Sequence, residues 1–225
     1  MSRTPLRIAV TGGTSGLGLA LVQALRARGD DVAFVARDAA RVNAVARRIA
    51  GTHGIAGDVS RKDEIHPLAL RISAALGGLD VLINNASSLG PVPLALLADT
   101  ECEDLELALA TNLLGPFRLT RALLGALSAA AREGRPARVI NITSDAAVTP
   151  YAGWGAYAAS KAALLQMSRV WDEELRGHGV RVLAADPGDM DTPLHALALP
   201  DADPAALKRP ADAAREIIAL LDASA

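Results

Sequence analysis

One cysteine, Cys102, is all the 225-residue chain contains, so no disulfide can form within it, the pattern of a reducing compartment. Aromatic residues make up only 3% against 51% hydrophobic residues, so Ala, Leu and Val must build the core. No segment reaches the roughly 18 uninterrupted apolar residues of a membrane-spanning helix, and Met1 to Val10 lacks the apolar run of a signal peptide. The expectation is a cytoplasmic protein with no membrane partner. A net charge of −2 gives no reason to expect nucleic acid, and the arginines, which outnumber lysines twenty to three, are scattered rather than clustered. His53, His66, His178 and His195 are dispersed without metal-ligand spacing, so no metal is expected. The length suits one domain, 1–225, and no repeat or linker interrupts it.

What is present is an alternation. Short β-rich runs near 6–11, 31–36, 53–57, 79–84, 137–143 and 180–185 alternate with amphipathic runs near 16–28, 38–50, 61–76, 101–132, 155–176 and 210–222. That alternation predicts an α/β fold, a parallel sheet with helices on both faces. Ser60 is placed to cap the third helix, with Asp63 and Glu64 in its first turn. Gly115-Pro116 should kink the fourth, because proline removes a backbone donor. The stretch 193–209, with Pro200 and Pro204, has no clear period and is the expected substrate loop.

Two features carry chemistry. Tyr157 and Lys161 stand four residues apart, one turn of a helix, so a phenol and an ammonium share one face. A free phenol titrates near pH ~10, and a nearby cation is expected to lower that value and make it a usable acid and base. The spacing alone is weak evidence. The second feature is the loop Thr11-Gly12-Gly13-Thr14-Ser15-Gly16-Leu17-Gly18, between a β-rich run and a helical one. Strand, glycine turn and helix in that order suit a pyrophosphate at the helix N-terminus, although an ordinary glycine-rich βα turn reads the same way.

Thr11-Gly-x-x-x-Gly16-x-Gly18, Asn84-Asn85-Ala86, Ser144, Tyr157-x-x-x-Lys161 and Pro187-Gly188 occur in one order, with Ser144 thirteen residues before Tyr157. In these motifs the chain resembles the short-chain dehydrogenase/reductase family, in its single-domain subgroup, from Arg7 to about Leu221. The resemblance implies a Rossmann-type doubly wound sheet of order 3-2-1-4-5-6. It also implies a nicotinamide cofactor held by Gly12, Thr14, Ser15, Gly16, Leu17 and Gly18, by Asp58, Val59, Asn85 and Ala86, and by Tyr157, Lys161, Pro187, Gly188 and Thr192. Catalysis would fall to Asn112, Ser144, Tyr157 and Lys161: Tyr157 as acid or base, Lys161 tuning it and binding ribose, Ser144 steadying the substrate oxygen, Asn112 holding a water. Read without the family, Ser144 is a turn former, Asp58 an N-cap carboxylate, and Asn112 a residue satisfying local backbone groups. Asp145, Tyr151 and Trp154 are the expected substrate-pocket residues.

At the end of the second strand Ala36 replaces the carboxylate that accepts from a ribose 2′-OH, and Arg37 follows. A guanidinium suits a 2′-phosphate, with Ser15 able to add a hydroxyl, so NADP(H) is preferred and NAD(H) remains possible. Arg37 as a solvated residue ahead of an Asp38 cap is the plainer alternative. Two departures from the family pattern stand out. Ser87 occupies the usual glycine position after Ala86, where a Cβ would crowd a φ > 0 backbone. The usual seventh strand has no counterpart, so six strands and a homodimer rather than a tetramer are expected. The leading expectation is an oxidoreductase interconverting a carbonyl and an alcohol; an enoyl or pterin-type substrate would leave that class unchanged. The alternative is a catalytically silent NADP(H)-binding regulatory protein of the same fold.

Overall fold

The computed structural model describes residues 4–222. Strands β1 (Arg7–Thr11), β2 (Asp31–Ala36), β3 (Thr52–Ala56), β4 (Val81–Asn84), β5 (Arg138–Ile142) and β6 (Arg181–Ala185) match the expected β-rich runs to within two residues at either end. The helices are α1 (Gly16–Ala27), α2 (Ala39–Arg48), α3 (Ile65–Leu76), α4 (Cys102–Leu109), α5 (Gly115–Arg132), α6 (Gly155–Leu175), α7 (Pro193–Ala198) and α8 (Pro210–Asp222). All strands pair in parallel in the order β3-β2-β1-β4-β5-β6.

Successive side chains of a strand face opposite ways, and both faces of this sheet are buried. Ile8, Val10, Phe34 and Ile83 point to the side covered by α1, α2 and α8, with Leu21, Val42 and Ile217 packed on them. Ala9, Val35, Leu82 and Val139 point to the other side, under Leu68 and Ile72 of α3 and Leu119 and Leu123 of α5. Strand order reverses between β1 and β4, so the loops at their carboxyl ends diverge and leave a crevice there.

Three local expectations need correction. Ser60 does not cap the third helix. Its Oγ donates to Asp58 Oδ1 (2.8 Å), which also accepts from Ser60 N (2.9 Å), and a 3₁₀ turn, Lys62–Glu64, precedes α3. The expected continuous helix over 101–132 is two helices joined by a π-helical turn, Ala110–Leu114, where Gly115 N–H reaches back five residues to Ala110 O. Pro116 has no N–H to offer, and the wider turn accommodates that loss. A Cβ on Gly115 would lie 2.9 Å from Val59 O, so glycine lets the helix pass close to the chain following β3. The third correction is in 193–209: it contains α7 and a 3₁₀ turn, Pro204–Ala206, and α7 lies over the crevice.

The free side of β6 is occupied at one point. Asp172 of α6 accepts from Val182 N (2.9 Å) and pairs with Arg181 (2.8 Å), and these donors hold its carboxyl down at about 2. A carboxylate on an edge N–H blunts that edge as a template for further strands.

Candidate active site

A cleft of about 460 Å³ opens at the carboxyl ends of the strands, and its lining runs from Arg37 to Lys161. The glycine loop forms its floor. Gly12 (φ 72°) and Gly13 donate to Val35 O at 2.8 and 3.2 Å, stitching the loop to the end of β2. Gly18 is demanded by contact: a Cβ there would sit 2.1 Å from Gly12 O and 2.6 Å from Asn85 Nδ2. The Asn85 amide is spent on the protein, donating to Thr11 O (2.9 Å), while Thr11 Oγ1 accepts from Asn85 N (2.9 Å) and Ala86 N (3.0 Å). Asn84 ties β4 to β5 through Asn141 Oδ1 (2.8 Å).

The start of α1 suits an anion. Its N-cap, Ser15, makes no side-chain cap bond, and its first turn carries no acidic residue, so the first backbone N–H groups have no side-chain acceptor. Thr14, Ser15, Gly16 and Leu17 line the cleft at that point. A pyrophosphate is the chemistry such a turn accepts, and the loop's tight glycine packing leaves the approach clear.

Arg37 lines the cleft beside the Ala36 strand end. The plainer reading of its neighbour also holds, for Asp38 caps α2, accepting from Ala40 N (2.9 Å) and Arg41 N (3.0 Å). Arg41 was not singled out by any motif, yet it lines the same wall. The available signal was a cation in the first turn of a helix, against the macrodipole preference. Neither guanidinium has an ion pair among the described residues. Asp58 and Val59 continue that wall. Asp58 serves as a turn carboxylate through Oδ1.

At the opposite end stand Ser144, Tyr157 and Lys161. Tyr157 is 8% exposed and Lys161 2%, with the Lys161 ammonium 5.4 Å from the phenol ring centre. The Tyr–Lys spacing predicts a lowered phenol, and the structure reverses that. Burial pushes Tyr157 up to about 12, against the hydroxyls of Ser144 and Ser87, which lower it. Burial likewise brings Lys161 down to about 8, and its Nζ donates to Ile142 O at 2.8 Å rather than to the phenol. Ser144 Oγ donates to Asp145 Oδ1 (2.9 Å) and accepts from Ala146 N (3.2 Å), so it forms a turn as well as facing Tyr157.

Asn112 does not reach the cleft. Its Oδ1 accepts from Ser88 N (2.8 Å) and Ser87 Oγ (3.2 Å), and its Nδ2 donates to Ser88 O and Ser160 Oγ, both at 2.8 Å. Those four bonds exhaust an amide side chain, which here staples the loop after β4 to α6. Ser87 has no positive φ, so its Cβ introduces no strain, and its hydroxyl lines the cleft. Trp154 also lines it, with its ring 5.6 Å from that of Tyr157. Asp145 and Tyr151 lie outside the lining, because the Asp145 carboxylate turns to its own loop and accepts from Tyr151 Oη (2.6 Å). Pro187, Gly188 and Thr192 border the cleft, and Thr192 caps α7 through His195 N (3.2 Å). Asp186, which sequence reasoning passed over, lines it too; an Asp ahead of Pro-Gly, bonded to Gly188 N (2.9 Å), was the only signal.

A model of the short chain dehydrogenase family matches residues 7–202, through both the glycine loop and the Tyr157–Lys161 pair. The chain belongs to the short-chain dehydrogenase family. A short-chain type dehydrogenase/reductase of Sinorhizobium fredii is 34% identical over 188 residues, 83% of this chain but only 33% of that protein, so the chain spans about a third of that relative's length. A crystal structure of 3-ketoacyl-(acyl-carrier-protein) reductase from Brucella melitensis, complexed with NADH, superposes with a TM-score of 0.88 at 26% identity, covering 95% of this chain and 89% of that one. A short chain dehydrogenase from Shigella flexneri complexed with NADP gives 0.85 at 28% identity, covering 95% and 88%. The short-chain dehydrogenase fold thus extends over nearly the whole described chain, including the segment beyond residue 202.

Proposed function

We propose that this short-chain dehydrogenase is an NADP(H)-dependent oxidoreductase that interconverts a carbonyl and an alcohol, with Tyr157 as the acid and base. The observation that carries this reading is one continuous cleft. At one end is an uncapped helix N-terminus beside two guanidinium groups without an ion pair among the described residues, and at the other a buried phenol beside Ser144, Ser87 and Lys161. The N–H groups of the Thr14–Leu17 turn would hold the pyrophosphate, and Arg37, Arg41 and Ser15 the 2′-phosphate. Asp58, Val59 and Ala86 would border the adenosine, and Lys161, Tyr157, Gly188 and Thr192 the nicotinamide riboside. When bound, the nicotinamide supplies or accepts the hydride. A Tyr157 phenol near 12 stays protonated across the neutral range, which suits proton donation to a nascent alkoxide. Ser144, facing the same phenol, would donate to the substrate oxygen as charge develops there.

Arg37→Asp tests the nucleotide assignment. It removes one guanidinium from the 2′-phosphate and restores a carboxylate for a 2′-OH. The NADPH dissociation constant should rise by about tenfold or more, the loss of one charge-assisted contact, while NADH binding improves. Titration of both dinucleotides by fluorescence reads this directly; unchanged affinities would place the 2′-phosphate elsewhere. A panel of ketones and aldehydes scored by NADPH consumption tests the reaction itself.

A homodimer and a cytoplasmic location belong to the same reading. Leu107, Leu114 and Val170 are exposed on α4, the π-helical turn and α6, beside the Phe117–Trp171 edge contact (5.9 Å), an apolar face suited to a second copy. Light scattering at micromolar concentration should give twice the chain mass; the mass of one chain, or of four, would reject the dimer. The exposed thiol of Cys102 stays free in a reducing compartment.

A further inference from the structure

We infer that the substrate is a neutral carbonyl compound with apolar substituents, and that an anionic group beside the reacting carbon is refused. This rests on the reading of Tyr157 as the acid at that carbon.

Apart from the Ser144 and Ser87 hydroxyls that face the phenol oxygen and the Lys161 ammonium beside the ring, the phenol's surroundings are apolar. Leu89 from the loop after β4, Ala146 after β5 and Ala198 of α7 are buried in one cluster with Tyr157. Leu94, Trp154 and Leu194 pack against that cluster while remaining partly open. Leu89, Trp154, Leu194 and Ala198 also line the cleft, so these are the walls a substrate meets. The four residues come from three separate places in the chain, the loop after β4, the turn before α6 and α7, and none offers a charge.

Cations free to meet an anion are few at this end. Arg37 and Arg41 follow β2, three strand spacings from β5, or about 14 Å. Lys161 is buried and its Nζ is engaged by Ile142 O. Lys208, near Gly188, is paired with Glu216 at 2.7 Å and does not line the cleft. His195 is the one other basic side chain on this wall. A carboxylate is close instead: Asp186 lines the cleft, and its charge adds to burial in raising the phenol. An anionic substrate would therefore lose water without meeting a free cation and would face the like charge of Asp186, whereas apolar groups gain from leaving water.

The test compares neutral ketones with keto acids at pH 8. With NADPH in excess, kcat/KM should rise about fourfold per methylene from 2-butanone to 2-octanone. Pyruvate and 2-oxobutyrate should be slower than the ketone of equal carbon number by about a hundredfold. Pyruvate or dihydroxyacetone outpacing its apolar match would overturn the inference. Binding is read separately, so that an inactive protein still decides it. Trp171→Phe leaves Trp154 as the sole tryptophan of the two. Saturable quenching of Trp154 by 2-octanol but not by lactate would uphold the apolar site even if no ketone were reduced, and the reductase reading alone would fall. Equal quenching by lactate, or none by 2-octanol, would overturn the apolar site.

Discussion

Tyr157→Phe lowers kcat by about a thousandfold, within the range expected when a positioned acid is lost, and changes NADPH affinity by no more than about twofold. The two side chains differ by one hydroxyl, and the ring's packing against Trp154 and Leu89 is kept. The phenol faces Ser144 and Ser87 rather than a cation, so its removal strands two hydroxyls that have other partners, Asp145 and Asn112, to return to. Stopped-flow turnover and a fluorescence titration on one preparation separate the two effects. A variant that keeps its turnover would show that the proton comes from elsewhere and would favour the catalytically silent alternative for the wild-type site.

Lys161→Met should abolish measurable turnover and at the same time raise stability. Burial lowers the ammonium from 10.5 to about 8, so the folded state disfavours the charge that the unfolded chain keeps. Between those two values the unfolded state binds more protons, and stability rises with pH; below about 8 the whole cost is present. The difference corresponds to an upper bound of about 3 kcal/mol at pH 7. Methionine fills similar space without charge but leaves Ile142 O without its donor, which returns about 1–2 kcal/mol. A net gain of about 1–2 kcal/mol should raise the melting temperature by about 2–8 °C at pH 7, and the advantage should shrink as pH approaches 10. Scanning calorimetry of both proteins without nucleotide at pH 7 and pH 9.5 measures it. Equal melting temperatures at pH 7 would mean that the desolvation cost of the buried lysine is no larger than the hydrogen bond lost at Ile142 O. The same pattern would mark Lys161 as a residue kept for its chemistry at the expense of the fold.

Much of this molecule was legible in the order of its residues. The alternation of short β-rich and longer amphipathic runs is a periodicity, and periodicity is local, so six strands and their neighbouring helices fall where the pattern puts them. Glycine at 12, 16 and 18 reports backbone geometry, and those positions have the left-handed φ values or the close contact that glycine permits. Tyr157 and Lys161 share a face because a helix has one pitch.

Tertiary structure decided what depends on which groups lie near one another across the sheet. Whether a phenol is lowered by an ammonium depends on burial as much as on spacing, and here desolvation prevails for both partners. Asn112 had the right type at the right place to hold a water, but the loop carrying Ser87 and Ser88 takes three of its side-chain hydrogen bonds and Ser160 of α6 takes the fourth. Arg41 joins Arg37 only because Asp38 starts a helix that turns the next residues toward the cleft. Asp145 and Tyr151 were near in sequence to the site and left it by bonding each other, whereas Leu89 and Ala198, 109 residues apart, meet beside Tyr157. A chain's own order specifies periodic structure and residue type. Which side chains share a desolvated space is set by the packing of distant segments, and that sharing determines both the titration of the site and the kind of molecule it admits.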